Sequence, residues 1–190
     1  MSTRGACGFH KNGVDKITYN HFDSYPGCLG VNILDFINKT TDEELNKIYD
    51  NVILVEEDSK PTKDQIKECE KWSDLTVGEQ SCSNWYCLLR KSQGNLETYK
   101  DGLKYMINSS DFLKDSLFCE YAYVINLDTN ELEFYIGGQH INSRNRYHLT
   151  KEEKENAYEK YYNCKLVKTF PLNVIRKYRD DVLHTMEKSN

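Results

Sequence analysis

The sequence predicts an α+β fold in which a mainly antiparallel sheet is covered by helices. Three observations carry this. An Asn12-Gly13 dipeptide separates two β-prone runs, 3–10 and 16–21, and Asn-Gly is the strongest short-range hairpin signal. A second hairpin pattern follows, with runs 119–127 and 132–136 flanking Asp128-Thr129-Asn130-Glu131. Between and after the hairpins lie long stretches of helical periodicity, several opened by capping signals. Hairpins separated by helical segments argue for helices packed on an antiparallel sheet.

The elements follow in order. After the first hairpin, Phe22-Asp23-Ser24-Tyr25-Pro26-Gly27-Cys28-Leu29-Gly30 reads as a tight, shaped loop. Apolar residues at Val31, Ile33, Leu34, Phe36 and Ile37 make 31–38 a buried helix. Thr41 and Glu44 form a capping box that opens a helix through Leu45, Ile48 and Tyr49. Residues 52–55 read as a short strand. Pro61-Thr62 with Gln65 starts a helix through Ile66, Cys69 and Trp72, and 74–83 is a polar loop. Residues 84–90 form an apolar helix ending near Gly94, and Leu96, Tyr99, Leu103, Tyr105, Met106 and Ile107 continue with helical spacing. In the second hairpin a period of two puts Tyr121, Tyr123, Ile125 and Leu127 on one face. Thr150 and Glu153 open a charged helix through Tyr161. A last strand at 165–170 precedes a final helix, 172–186, with Ile175, Tyr178, Val182 and Met186 on one stripe. With no repeat and no linker, 1–190 is expected to be a single α+β domain.

Composition narrows the function. With 190 residues, 38% hydrophobic and 29% charged, the chain is neither collagen-like nor disordered and has the length of one domain. No apolar run approaches ~18 residues, so no membrane span is expected. A net charge of −5 argues against generic nucleic-acid binding. The Met1 end lacks the basic and apolar regions of a signal peptide, so a cytoplasmic protein is expected. The seven cysteines are odd in number, irregularly spaced and without a CxxC; they read as reduced thiols, with no cluster for a metal site. Gly5-x-x-Gly8 lies on a strand and fails the phosphate-loop context, so no cofactor is expected. The 14 tyrosines and seven phenylalanines suit a core and also an adhesive surface.

Several residues could carry chemistry. Removal of Met1 would leave Ser2 with a free α-amine beside its hydroxyl, a base and a nucleophile on one residue. Period two puts Tyr19 and His21 on one face of the second strand and Asn20 on the other, with Asp23 at the strand end; the same Asn20 and Asp23 could instead satisfy a turn. Gln139–His148 carries His140, Arg144, Arg146 and His148; it reads as an anion-binding loop or as a solvated one. His10 and His21 do not face each other across the Asn12-Gly13 turn. Trp85-Tyr86 belongs to a core helix, with Arg90 and Gln93 free to face a cleft.

The opening strand, Asn-Gly turn, second strand and Asn20-x-x-Asp23 segment resemble the start of N-terminal-nucleophile hydrolases, nearest to the branch that cleaves bile-acid amides and ceramides. The resemblance implies a four-layer αββα sandwich, Ser2 as nucleophile, Asn20 and Asp23 as the polar pair beside it, and Arg4 as an orienting cation. The chain departs from that branch by Ser in place of Cys and by Tyr19 before the Asn in place of Arg. A broader likeness covers MSTRGACGFHKNGVDKITYNHFDSYPGCLG, WYCLLRKSQG and FCEYAYVINLDTNELEFYIGG. These segments resemble an uncharacterised family of phage, large-DNA-virus and bacterial proteins, which implies a cytosolic, virus-type protein and transfers no catalytic residue. The expectation is an interaction protein that binds a host protein or a small ligand without catalysis, through Asp23, Tyr25, Arg144 and Arg146. The alternative is an amide-bond hydrolase using Ser2, Arg4, Asn20 and Asp23.

Overall fold

The structure is a computed structural model that describes residues 3–189. β1 (Gly5–Lys11) and β2 (Val14–Asn20) pair antiparallel across Asn12 and Gly13, whose φ values of 51° and 76° are those of the tight hairpin turn their residue types favour. The second hairpin forms from β5 (Tyr121–Asn126) and β6 (Glu131–Ile136), and β7 (Lys165–Pro171) adds antiparallel to β6. The five strands run in the order β2-β1-β5-β6-β7.

The α+β class and both hairpins are therefore as the sequence predicts. The seam between the hairpins differs: β1 and β5 pair in parallel, Gly5 beside Tyr121 through His10 beside Asn126. A parallel pair needs a long crossover, and the segment between the two strands supplies it.

Period two then divides the sheet. Cys7, Phe9, Tyr121, Tyr123, Ile125, Leu132 and Phe134 point to one face, where they join a core with Ile33, Leu34 and Phe36 of α1 (Val31–Asn38). α7 (Leu172–Lys177) and α8 (Arg179–Glu187) add Leu172, Ile175, Val182 and Met186 to the same core. Ala6, Ile17, Ala122, Val124 and Tyr135 point to the other face, covered by Leu113 from the helical turn Ser110–Lys114 and by Tyr147 and Cys164 from loop segments. The described residues thus contain one five-stranded and one two-stranded sheet; the second large sheet of an αββα sandwich is not among them.

α2 (Asp42–Asn51), α3 (Lys63–Cys69) and α6 (Lys151–Asn156) begin at the expected capping boxes, each made in both directions. Three helical expectations are corrected. The run 96–107 is helical only in α5 (Glu97–Lys100), which follows α4 (Trp85–Leu88). Gly102 at φ 99° turns the chain out, and Tyr105–Ile107 becomes β4, parallel to β3 (Ile53–Val55). The ladder satisfies its backbone while Met106 is fully buried. The helix from Thr150 stops at Asn156, and Glu159 and Lys160 take positive φ. The C-terminal helix divides at Tyr178, with φ −136° and ψ 45°.

On the loop-covered face a charged network locks both hairpins. Glu133, nearly buried, accepts hydrogen bonds from Asn126 Nδ2 at 2.8 Å, from Tyr135 OH at 2.7 Å and from both terminal nitrogens of Arg146. Arg146 Nε also lies 3.3 Å from Asp15, which is 2.7 Å from His10 Nδ1. Burial alone would push the Glu133 carboxyl up; the hydrogen bonds from Arg146, Asn126 and Tyr135 outweigh it and hold the group below the ordinary glutamate range. Glu133→Gln should lower stability by about 2 kcal/mol, because it leaves Arg146 partly buried and short of a counter-charge. Urea denaturation at neutral pH measures this, and a loss under about 0.5 kcal/mol would mean the pair behaves as a surface ion pair.

Candidate functional site

The carboxyl ends of the parallel strands β3 and β4 run out beside the carboxyl end of β2, and a cavity of about 520 Å³ opens there. Ligand crevices in parallel sheets form outside such strand ends, where backbone and loops diverge. Ser109 N–H donates to the Ile17 carbonyl at 2.8 Å and docks the helical turn Ser110–Lys114 against β2. Phe112 then meets Tyr19 edge-on, with ring centroids 5.2 Å apart at 73°. The opposite wall comes from α4. The Asn84 side chain caps that helix by accepting from Cys87 N–H, which turns Trp85 into the core and leaves Tyr86 half-buried in the cavity wall. Trp85 Nε1 donates to Ser59 Oγ at 3.0 Å and holds the turn after β3. Tyr99, Leu89 and Ile107 complete the apolar lining.

The chemistry in this cavity is set by Tyr19 and His21, two residues apart on β2 and its end, with Tyr19 OH 2.7 Å from His21 Nδ1. Burial, then the charges of Arg90 and Arg4, lower the His21 pKa, while burial raises that of Tyr19. Both groups are therefore neutral at pH 7. A neutral imidazole satisfies the pair in either tautomer: Tyr19 O–H donates to Nδ1 with the proton on Nε2, or Nδ1–H donates to the Tyr19 oxygen and Nε2 is left as an acceptor. Gln93 forms another part of the lining, its Oε1 accepting from an Arg90 terminal nitrogen at 2.7 Å.

A second, more polar cavity of about 520 Å³ lies on the other side of the β2 end, between Asn20, Asp23, Asn32, Lys39 and Lys91, and it shares Gln93 with the first. Two residues proposed from the N-terminal-nucleophile resemblance lie here. Asn20 Nδ2 donates to the Phe22 carbonyl and to Ser24 Oγ, so its amide secures the loop, the turn role also open to it. Asp23 is exposed and takes φ 51°. Ser2 lies outside the described residues. Thr3 lies at the loop, its carbonyl accepting from Ser24 N–H at 3.1 Å. Arg4 faces another cavity, its backbone N–H on Glu120 at 3.1 Å and its guanidinium 5.5 Å from the Phe118 ring centre.

The expected binding residues divide between two places. Asp23 and exposed Tyr25 share the loop after β2. Arg144 is exposed on the segment after β6, and Arg146 on that segment is committed to Glu133 and Asp15. That segment is held by its own amides: Asn163 receives Ser143 N–H at 2.9 Å, and Asn145 Nδ2 donates to the Cys164 carbonyl at 2.8 Å. The Tyr19–His21 geometry was visible as a period of two; Phe112 and Gln93 as partners were not, because only the tertiary fold brings them there.

Comparison with protein-family models, with curated proteins and with solved structures finds no match to this chain. Among the described residues no helix is long and apolar enough to cross a membrane.

The lowered His21 pKa has a sign that can be measured. The unfolded chain takes up this proton more readily than the folded one, so stability falls as pH drops below about 6.5. Chemical denaturation at pH 7.5 and pH 5 should show this decline in the wild type and a smaller one in His21→Gln. Equal declines would remove His21 from the linkage.

Proposed function

We propose that the protein binds a small ring-bearing molecule in the cavity at the ends of β2, β3 and β4, with no covalent step. The observation that carries this reading is the aromatic wall formed by Tyr19, Tyr86 and Phe112 around a neutral Tyr19–His21 pair. An apolar cavity with a few convergent polar groups is the usual form of a small-molecule site. The resemblance to phage and large-DNA-virus proteins supports an intracellular setting. A host protein would instead meet exposed Phe22 and Tyr25 on the loop after β2, which offers less enclosure than the cavity. 2-Naphthamide, titrated by fluorescence, should bind saturably at one site. Tyr86→Ala should weaken it about tenfold by removing a ring contact, and Ile107→Trp should abolish it by filling the space. The reading falls if no saturable binding occurs, or if neither variant changes it while both stay folded.

One observation supports a second reading, hydrolysis of an amide by Ser2. The Thr3 carbonyl is bonded to Ser24 N–H, beside the loop that Asn20 holds and that carries Asp23. The Ser2 hydroxyl would add to the amide carbonyl while the Ser2 α-amine takes its proton and returns it to the leaving amine; water would then cleave the resulting ester. This chemistry needs a free residue-2 amine. An intact mass showing retained Met1 or an acetylated terminus rules it out. If the amine is free, Ser2→Ala should abolish any amide turnover and leave 2-naphthamide binding unchanged.

A further inference from the structure

Arg90 carries a charge with no carboxylate at ion-pair distance among the described residues, Asp74 feeling it only at longer range. Among the described residues Arg146, Arg176 and Arg179 each reach carboxylate oxygens, whereas Arg90 reaches none. It is half-buried, with its guanidinium carbon 5.8 Å from the Tyr86 ring centre. A guanidinium offers five N–H donors. Here one terminal nitrogen meets the neutral Gln93 Oε1 at 2.7 Å, and the buried Nε has no partner. Arg90 stands outside the lining itself, behind Gln93, which lines the aromatic cavity together with Tyr86, Leu89 and Ser92, so an anion reaches it by taking the place of Gln93.

The electrostatics of the cavity agree. Arg90 and Arg4 both act on His21 and on Tyr19, so the strand end sits in a positive field with no carboxylate bonded to either arginine side chain among the described residues. His21 Nε2 is a neutral donor in the tautomer whose Nδ1 accepts from Tyr19. The carboxylates in the lining, Glu57 and Asp111, are exposed at the rim, and Asp111 lies 3.1 Å from Lys114. An entering anion would compete with Gln93 for Arg90 on favourable terms, because charge-assisted hydrogen bonds are roughly twice as strong as those to a neutral acceptor.

We propose that the ligand of this cavity is an aromatic molecule bearing one anionic group, a carboxylate or a phosphate ester, which displaces Gln93 from Arg90 and selects the His21 tautomer that donates from Nε2. This rests on the reading of the cavity as a small-molecule site. The test compares three probes of one ring system on the full chain: 2-naphthoate, 2-naphthyl phosphate and the neutral 2-naphthamide. At least one anion should bind about tenfold more tightly than the amide, and the tighter anion identifies the head group. Arg90→Gln should erase that advantage and leave amide affinity unchanged, which also shows that the variant keeps its fold. Anions that bind no better than the amide, or an advantage that survives Arg90→Gln, overturn the proposal while the cavity remains a binding site. Failure of all three probes overturns both.

Discussion

The structure depends on the central parallel seam between β1 and β5. β1 is flanked on both sides and buried along most of its length, so its neighbours must approach it closely. A Cβ at Gly5 would lie 2.3 Å from the Tyr121 carbonyl oxygen, and one at Gly8 would lie 2.1 Å from the Lys16 carbonyl oxygen. Neither obstacle is a movable side-chain tip. The two glycines therefore serve close approach rather than a turn, Gly5 toward β5 and Gly8 toward β2. With β5 central and β1 beside it, β2 becomes an edge of the sheet. An edge strand has unpaired backbone groups to cover, and the segment after β4 covers part of it through the Ser109–Ile17 hydrogen bond. The aromatic cavity forms where that cover ends.

Local signals in the sequence were sufficient for the hairpins and capped helix starts, because their causes are local. Asn12-Gly13 needs only positive φ, and Thr41, Thr62 and Thr150 need only a partner three residues on. Tyr105–Ile107 could not be read this way. Its apolar spacing fits a helix, and its strand state depends on β3, about fifty positions earlier in the chain. The break at Tyr178 likewise lacks a Pro or Gly to announce it. The division between sheet faces was legible for Tyr121, Tyr123 and Ile125, since a period of two needs no knowledge of the partner strand.

The candidate site was legible only in part for the same reason. Tyr19 and His21 could be placed on one face, opposite Asn20, and their positions in two adjoining cavities follow from that alternation. What could not be read was the use each polar group finds. Asn20 invited a catalytic reading, yet its amide is bonded to Phe22 and Ser24. Arg144 and Arg146 formed one basic motif in sequence. In three dimensions Arg146 belongs to the Glu133 network, while Arg144 stays exposed. Residue types announce capacity for chemistry, and the hydrogen-bond accounting decides how much of that capacity is already spent.

That accounting also explains why the two cavities beside β2 differ so sharply across a single strand end. On the aromatic side, Tyr19 and His21 satisfy each other and present rings and one imidazole nitrogen. On the polar side, Gly94 at φ 68° lets Asn20 pack directly against the backbone; a Cβ there would lie 2.2 Å from the Asn20 oxygen. Asn20 is thereby pinned between the loop it bonds and the turn it touches, and Gln93 is placed at the boundary. Gln93 lines both spaces, and its side-chain oxygen is held by Arg90. A group that released Arg90 from Gln93 would change the wall shared by both cavities. The cation and its neutral acceptor therefore form the least committed contact in a region where the surrounding polar side chains, Tyr19, His21 and Asn20, already have partners within the fold.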